Sequence, residues 1–215
     1  MGREIEVKVP LSDKEYQRLY NLFFNKTEEI FGLTILKAMP SIIIKKDEYW
    51  SRYDSREERK ANNEAQVIRI RSEEFDGQSK AFFTIKHKVY QNGIELNKED
   101  ETFVEDPEVL REFFVEAGYH KWFEKVKKSY GAFCNSSVLP GVEFHVEVEE
   151  VNGLLYVEIE VTQDDGDADK IKQGLNDLVK QLGLNPEKRD IRSWVEIIQE
   201  KVVKTKEIVH RTISF

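Results

Sequence analysis

The feature that most constrains this chain is a strand pattern that occurs eight times. The first copy is "GREIEVKV", in which Ile5 and Val7 alternate with Glu6 and Lys8. Successive side chains of a β-strand point to opposite faces, so this segment has one apolar face and one ionic face. The residues on the polar faces of the eight segments are, in chain order, Glu4, Glu6 and Lys8; Asp47 and Tyr49; Arg69 and Arg71; Thr84, Lys86 and Lys88; Glu99 and Glu101; Lys125 and Lys127; Glu147 and Glu149; Glu158 and Glu160.

These polar faces are almost purely ionic, and most of them favour one sign of charge. The third, fourth and sixth segments are basic, whereas the fifth, seventh and eighth are acidic. A solvated sheet face usually carries mixed polar residues, so a single wet face explains this pattern poorly. Eight antiparallel strands are enough to close a barrel that holds one ligand. We therefore predict an α+β fold, a closed eight-stranded antiparallel β-barrel with inward ionic faces and flanking helices.

Turn and helix signals place the strands in hairpins. Asp76-Gly77, Asn92-Gly93 and Asn152-Gly153 are typical of tight hairpin turns. Helices are predicted after the first, the fifth and the last strand, with the last two near residues 167–182 and 190–203.

No linker rich in proline, glycine or serine divides the chain, so we expect one domain over residues 1–203. The segments 27–41 and 55–65 lack a clear period and are predicted to be irregular. Residues 204–215 form a C-terminal extension with alternating apolar and polar residues. An added strand, a contact in a homodimer and a tail all fit this extension.

Composition restricts the class of protein. The net charge of −8 argues against a nucleic-acid partner, because nucleic-acid binding requires a basic face. The single cysteine, Cys134, cannot form an internal disulfide. We find no leader sequence, and no apolar run approaches the length of ~20 residues that a membrane-spanning helix needs. The expectation is a cytoplasmic protein with no membrane partner.

The two signs of charge suggest one chemistry. Clustered Arg and Lys bind a polyanion, and clustered carboxylates bind hard divalent cations through oxygen. A polyphosphate with a bound Mg²⁺ or Mn²⁺ ion requires both surfaces at once. The chain has no glycine-rich phosphate loop and no His/Cys metal spacing.

Eight motifs in order resemble a known family. The first, Glu4 to Lys8, resembles the ExExK signature of the CYTH superfamily, the triphosphate tunnel metalloenzymes. The others are "DEYW", "VIRIR", "FTIKHK", "KEDETF", "FEKVKKSY", "EEVNGLLYVEIEV" and "RSWVEII". The chain departs from the family at Lys98, where Arg is common, and at Glu149, where Asp is common. Trp194 occupies the place of an aromatic residue. The resemblance covers about residues 3–200.

The resemblance implies a barrel that binds a triphosphate and one or two Mg²⁺ or Mn²⁺ ions. The metal ligands that it implies are Glu4, Glu6, Glu158 and Glu160, with Glu99, Glu101 and Glu149 as further candidates. The phosphate-binding residues that it implies are Lys8, Arg69, Arg71, Lys86, Lys125 and Lys127. We assign catalytic roles to Glu4, Glu6, Lys86 and Tyr49, with Tyr49 placing or assisting a water near Lys86.

Three functions remain open at this point. The first is a metal-dependent phosphohydrolase that acts on tripolyphosphate, a nucleoside triphosphate or an organic triphosphate. The second is an adenylyl cyclase of class IV type, which converts ATP to cyclic AMP and pyrophosphate. The third is a protein that binds polyphosphate without turnover, for which so many carboxylates are not required.

Overall fold

The structure is a computed structural model. It describes the backbone of residues 3–26, 29–64, 66–91, 94–163 and 168–202. Side chains are described for residues 5–26, 29–64, 66–87, 98–161 and 170–202.

Nine strands form one antiparallel sheet in the described part of the chain. They are β1 (Arg3–Pro10), β2 (Leu33–Ala38), β3 (Ile43–Ser51), β4 (Gln66–Phe75), β5 (Gln78–Gln91), β6 (Ile94–Val104), β7 (His120–Ser136), β8 (Leu139–Val151) and β9 (Leu154–Gln163). Their order is β2-β7-β3-β4-β5-β6-β1-β9-β8, and β7 also pairs with β8. The sheet curls into a half-barrel.

The helices lie in the connections and after the last strand. They are α1 (Asp13–Tyr20), which continues into a π-helical turn (Asn21–Asn25), α2 (Arg56–Ala61), α3 (Pro107–Glu116), α4 (Ala168–Gln181) and α5, described over residues 194–202. Within the described ranges, none of these helices has the length and hydropathy needed to cross a membrane.

Local sequence explains where several of these elements begin and turn. Ser12 and Glu15 form a capping box at the start of α1. Asp106 caps α3, and proline follows it in the first turn. Asp76 and Gly77 have φ angles of 49° and 73°, and this pair of left-handed residues gives a tight hairpin that matches the strand twist.

The apolar faces of the strands pack under helices, and the ionic faces point to the inside of the curl. Val146, Val148 and Ile159 are completely or almost completely buried in the main core, together with Leu175 and Leu178 of α4. Trp50, Ile68, Ile70 and Phe114 form a second cluster beneath α3. Burial of the apolar faces outside the curl leaves the charged faces to line its interior.

The predicted α+β class and curled antiparallel sheet are confirmed, but two details differ. The structure has nine strands curled into a half-barrel, where the sequence predicts a closed barrel of eight. The extra strand, β2, occupies part of the segment that we predicted to be irregular, as does α2 in the segment 55–65. The Asn92-Gly93 turn and the extension 204–215 lie outside the described residues.

Candidate active site

The interior of the curl holds a cavity of about 470 Å³. Its walls contain ten basic and seven acidic side chains, an excess of positive charge in a protein whose net charge is −8. The basic residues are Lys8, Lys45, Arg56, Arg59, Lys60, Arg69, Arg71, Lys86, Lys125 and Lys127. The acidic residues are Glu6, Glu64, Glu99, Glu101, Glu147, Glu158 and Glu160.

The basic wall is organised around one buried carboxylate, that of Asp47 on β3. Arg71 Nε and Nη2 donate hydrogen bonds to Asp47 at 2.6 and 3.0 Å. Lys125 Nζ lies 3.1 Å from the same carboxylate, and Arg69 Nη1 lies 4.0 Å from it. Burial alone would raise the pKa of Asp47, but these three cations outweigh it and hold that pKa well below its usual range.

Lys127 lies among three carboxylates from β8 and β9. Its Nζ atom is 2.7 Å from Glu158, 2.8 Å from Glu149 and 3.7 Å from Glu147. Lys45 makes a further ion pair with Glu147 at 2.5 Å. One carboxylate oxygen from each of Glu147, Glu149 and Glu158 lies within 4.8 Å of the other two, a spacing at which the three groups could hold one metal ion.

The acidic cluster is electrostatically uneven. Burial and the neighbouring charge of Glu158 raise the pKa of Glu149 well above its ordinary value. Burial opposes the charged form of Glu158 too, but Lys127 and a hydrogen bond from Glu149 hold the pKa of Glu158 well below the usual range. The two carboxyl groups therefore have unequal affinities for a proton, which is the result expected of like charges in close contact.

A third group of charges lies on β4, β5 and β6. Arg69 Nη2 donates to Thr84 Oγ1 at 3.0 Å and to Glu101 Oε2 at 3.2 Å. Glu99 forms an ion pair with Lys86 and lies 3.6 Å from Arg69. These contacts place Arg69 and Lys86, two of the predicted phosphate-binding residues, beside carboxylates for which the family resemblance implies a metal-binding role.

The pairing of β1 with β9 aligns the remaining predicted ligands. Glu6 lies opposite Glu160, and Lys8 lies opposite Glu158. Lys8 Nζ also donates to Glu6 Oε1 at 2.9 Å. Side chains opposite each other on one sheet face lie about 4.5–5.5 Å apart at Cβ, so this wall presents a compact set of carboxylates.

Residues of α2 and α5 also line the cavity, and we call the part of the wall formed by Arg56, Arg59, Lys60, Trp194 and Val195 the mouth. Arg59 is buried, donates to Glu64 and to the carbonyl of Gln66, and lies over the ring of Trp122 at 4.9 Å. Arg56 forms an ion pair with Glu196 of α5, which joins the two helices across the mouth.

Nearly all of the predicted site residues come together in the cavity wall. The ones that line it are Glu6, Lys8, Tyr49, Arg69, Arg71, Lys86, Glu99, Glu101, Lys125, Lys127, Glu158 and Glu160. Glu149 is completely buried behind this lining and contacts Lys127. The backbone of Glu4 belongs to β1, but its side chain lies outside the described side chains.

Sequence reasoning missed several residues of the cavity. Lys45 precedes Asp47 and Tyr49 by the strand period of two, so extending that pattern would have found it. His145 stands in the same relation to Glu147 and Glu149 on β8. Trp122 and the mouth residues of α2 carry no such signal, because tertiary folding alone brings them to the site.

Comparisons with known proteins support the fold. No family profile matches the sequence, and no curated protein matches it. A protein from Pyrococcus horikoshii OT3 has a similar structure with a TM-score of 0.65, at 22% identity over 92% of this chain and 99% of that one. A protein from Pyrococcus furiosus has a TM-score of 0.63, at 23% identity over 90% of this chain and 98% of its own.

A third similar structure comes from Hippeastrum. It has a TM-score of 0.54 and 15% identity, over 94% of this chain and 96% of its own. That protein is described as having a dominant triphosphatase activity. The chain has the triphosphate tunnel fold. At these identities the likeness concerns the fold alone and does not extend to activity.

Proposed function

We propose that this tunnel-fold chain is a divalent-metal-dependent phosphohydrolase that acts on a triphosphate. The observation that carries the proposal is the cavity wall, in which ten basic and seven acidic side chains line the same cavity. A site that binds only a polyphosphate requires only basic side chains. The acidic half of the wall is what a second, positively charged ligand requires.

The donor set fits Mg²⁺ or Mn²⁺. All the side chains in the cluster of Glu147, Glu149 and Glu158 offer oxygen, which both ions prefer. Glu149 is completely buried, and its Oε2 atom lies 2.8 Å from Lys127 Nζ. A buried carboxylate is costly unless a cation compensates its charge. Glu4, Glu6, Glu99, Glu101 and Glu160 are further ligands in this proposal.

A bound metal ion would supply charge neutralisation of the phosphates and would acidify a water molecule. The residues of the chain do the rest. Arg69, Arg71 and Lys125 bind phosphate oxygens from the basic wall, because Arg presents forked donors and Lys a point charge. Lys8, Lys86 and Lys127 bind from β1, β5 and β7. Arg71 already gives two of its N–H groups to Asp47, which leaves three for a phosphate.

The water that attacks the terminal phosphorus must be held close to it. Tyr49 lines the cavity on β3 and packs against Phe123 with ring centroids 5.4 Å apart. This contact fixes the ring, and the proposed role of Tyr49 is to orient the water near Lys86. Hydrolysis breaks the bond from the terminal phosphorus to its bridging oxygen, and the cationic wall stabilises the negative charge on the leaving phosphates.

The proposal includes closure of the half-barrel into a tunnel around the substrate. Support comes from β7, which pairs with β3 through residues 120–129 and with β8 through residues 127–136. Because β7 pairs with both β3 and β8, it connects the strands at which the curl would close around the substrate. Such an enclosure excludes water other than the nucleophile and strengthens each charge interaction inside.

A matched pair of lysines tests the proposal. Lys127 points into the cavity, whereas Lys128 is exposed and pairs with Glu150 outside it. We expect the purified protein to release orthophosphate from tripolyphosphate with Mg²⁺ or Mn²⁺, and to release none with EDTA. Lys127→Gln should reduce the rate at least ~10-fold, an amount typical of losing one transition-state contact. Lys128→Gln should leave the rate unchanged. Equal rates for the two variants would contradict a reaction inside the cavity.

A further inference from the structure

Trp194, the first residue of α5, donates a hydrogen bond from Nε1 to Glu158 Oε1 at 2.7 Å. The other oxygen of Glu158, Oε2, accepts from Lys127 Nζ at 2.7 Å. Both oxygens of this carboxylate are therefore held by residues from other elements, one by α5 and one by β7.

The sequence of α5 fixes the indole in this place. Ser193 and Glu196 form reciprocal hydrogen bonds at the start of the helix, which is the capping-box arrangement. The ring of Trp194 packs edge-on against Tyr156 of β9 at 4.8 Å between centroids. Because Tyr156 and Glu158 lie two residues apart on one strand, this packing holds the indole N–H next to the carboxylate.

An indole differs from a lysine as a partner of Glu158. The indole N–H only donates and carries no charge. It can fix the orientation of the carboxylate without repelling a cation that approaches, whereas the ammonium group of Lys127 competes with that cation. Trp194 is also largely buried, with 9% of its surface exposed, so water competes little for the hydrogen bond.

From this geometry we infer that Trp194 is a positioning residue that orients Glu158 for a divalent cation. The inference rests on the proposed function, which places Mg²⁺ or Mn²⁺ at Glu147, Glu149 and Glu158. Trp194 acts through Glu158 and is not itself a ligand. The arrangement links the folding of α5 to the strength of cation binding.

Trp122 provides a matched control. It lines the same cavity, and its Nε1 atom is buried without a hydrogen-bond partner among the described residues. Phenylalanine at either position removes an indole N–H and keeps an aromatic ring. Mn²⁺ binding measured by calorimetry should be about 10- to 100-fold weaker in Trp194→Phe, the loss typical of a partner that orients a metal ligand. In Trp122→Phe it should match the wild type.

A double substitution separates orientation from general loosening. If Trp194 acts through Glu158, Trp194→Phe should add no further loss of Mn²⁺ affinity to a Glu158→Gln protein. Additive losses would overturn the inference, as would equal affinities of Trp194→Phe and the wild type. Wild-type protein that binds no Mn²⁺ would instead refute the proposed metal site, and the inference with it.

The wild-type protein offers a test that does not depend on how the variants fold. The chain has three tryptophans, so its proton–nitrogen spectrum should contain three indole N–H signals. Addition of Mg²⁺ should shift the Trp194 signal and leave that of Trp50, which lies in the separate cluster under α3, unchanged. A Trp194 signal that does not respond while calorimetry shows Mg²⁺ binding would overturn the inference.

Discussion

Arg71 holds the carboxylate of Asp47 in a two-pronged contact, with Nε on Oδ1 at 2.6 Å and Nη2 on Oδ2 at 3.0 Å. Asp47 is completely buried, and Lys125 reaches it from the neighbouring strand at 3.1 Å. One carboxylate on β3 thus fixes the position of two cations, on β4 and β7, that the proposed function assigns to phosphate.

The first prediction is that Asp47→Asn slows turnover more than it weakens binding. The substitution removes the charge that aligns Arg71 and Lys125, and a small displacement of a positioned group can cost 100-fold in rate. We expect kcat on tripolyphosphate to fall about 10- to 100-fold. KM should change little, because removing a negative charge favours binding of the anionic substrate and so offsets the poorer alignment of Arg71 and Lys125. Steady-state kinetics on folded protein measures both.

Glu48→Gln is the control for that prediction. Glu48 is buried on the other face of β3 and accepts a hydrogen bond from Arg111 of α3 at 2.8 Å. Its substitution should affect stability and leave kcat of the folded protein unchanged. If both variants had the kcat of the wild type, Asp47 would have no positioning role.

A second prediction concerns pH and Glu196. Burial alone would raise the pKa of Glu196, but bonds from Arg56 and Ser193 outweigh it and lower that pKa to about 2. Because the pKa falls on folding, the carboxylate adds stability above its unfolded value of 4.5 and loses this effect as the pH falls towards 2.

Glu196→Gln should therefore lower the free energy of unfolding at pH 7 by about 1 kcal/mol, an amount typical of a lost cap with a partly exposed ion pair. The difference from the wild type should shrink when urea unfolding is repeated near pH 3. Glu112→Gln, an exposed position on α3, is the control. A difference that stays constant with pH would show that charge on Glu196 does not stabilise the fold.

A third prediction is that Cys134 is unreactive in the native protein. The thiol is completely buried, and burial, assisted by the charge of Glu143, raises its pKa to about 12. Thiolate is the reactive form, so almost none is present at pH 8. An aromatic disulfide reagent should label no thiol in buffer and one in concentrated urea. Rapid labelling in buffer would mean that β7 opens readily.

A fourth prediction is that Gly174→Ala destabilises the protein. In an exposed helix interior, alanine is more favourable than glycine by about 1 kcal/mol of free energy of unfolding. Gly174, however, lies on the buried face of α4, where a Cβ would clash with Cδ1 of the buried Leu139. Overpacking of this kind typically costs about 1–3 kcal/mol. Urea unfolding should show a net loss, and a gain would mean that Leu139 moves aside without cost.

Alternation with a period of two made most of the cavity predictable from sequence. Glu158 and Glu160 carry their charge between Val157, Ile159 and Val161, so the face of each residue follows from its number alone. The order of the eight family-like motifs further indicated which of these charged strands line the same cavity. A run of apolar residues before Asp47 obscured the same signal at Lys45.

The position of α2 at the mouth could not be predicted from a local pattern, because this helix lacks an apolar stripe. Ser55 caps α2 by accepting from the backbone N–H of Glu58 at 3.1 Å, but the position of α2 depends on the contacts of Arg59 with Gln66 and Trp122. Those contacts join residues from three parts of the chain. Polar stretches of this kind acquire structure from tertiary contacts rather than from local pattern.

The most direct test of the central claim is a phosphorus NMR time course with the protein, Mg²⁺ or Mn²⁺, and equal amounts of ATP and tripolyphosphate. The account predicts orthophosphate, with loss of tripolyphosphate or of the γ-signal of ATP, and no change in a parallel sample with EDTA. Pyrophosphate with a cyclic monophosphate signal would identify a cyclase instead. Spectra without any change in the presence of metal would contradict catalysis on a triphosphate.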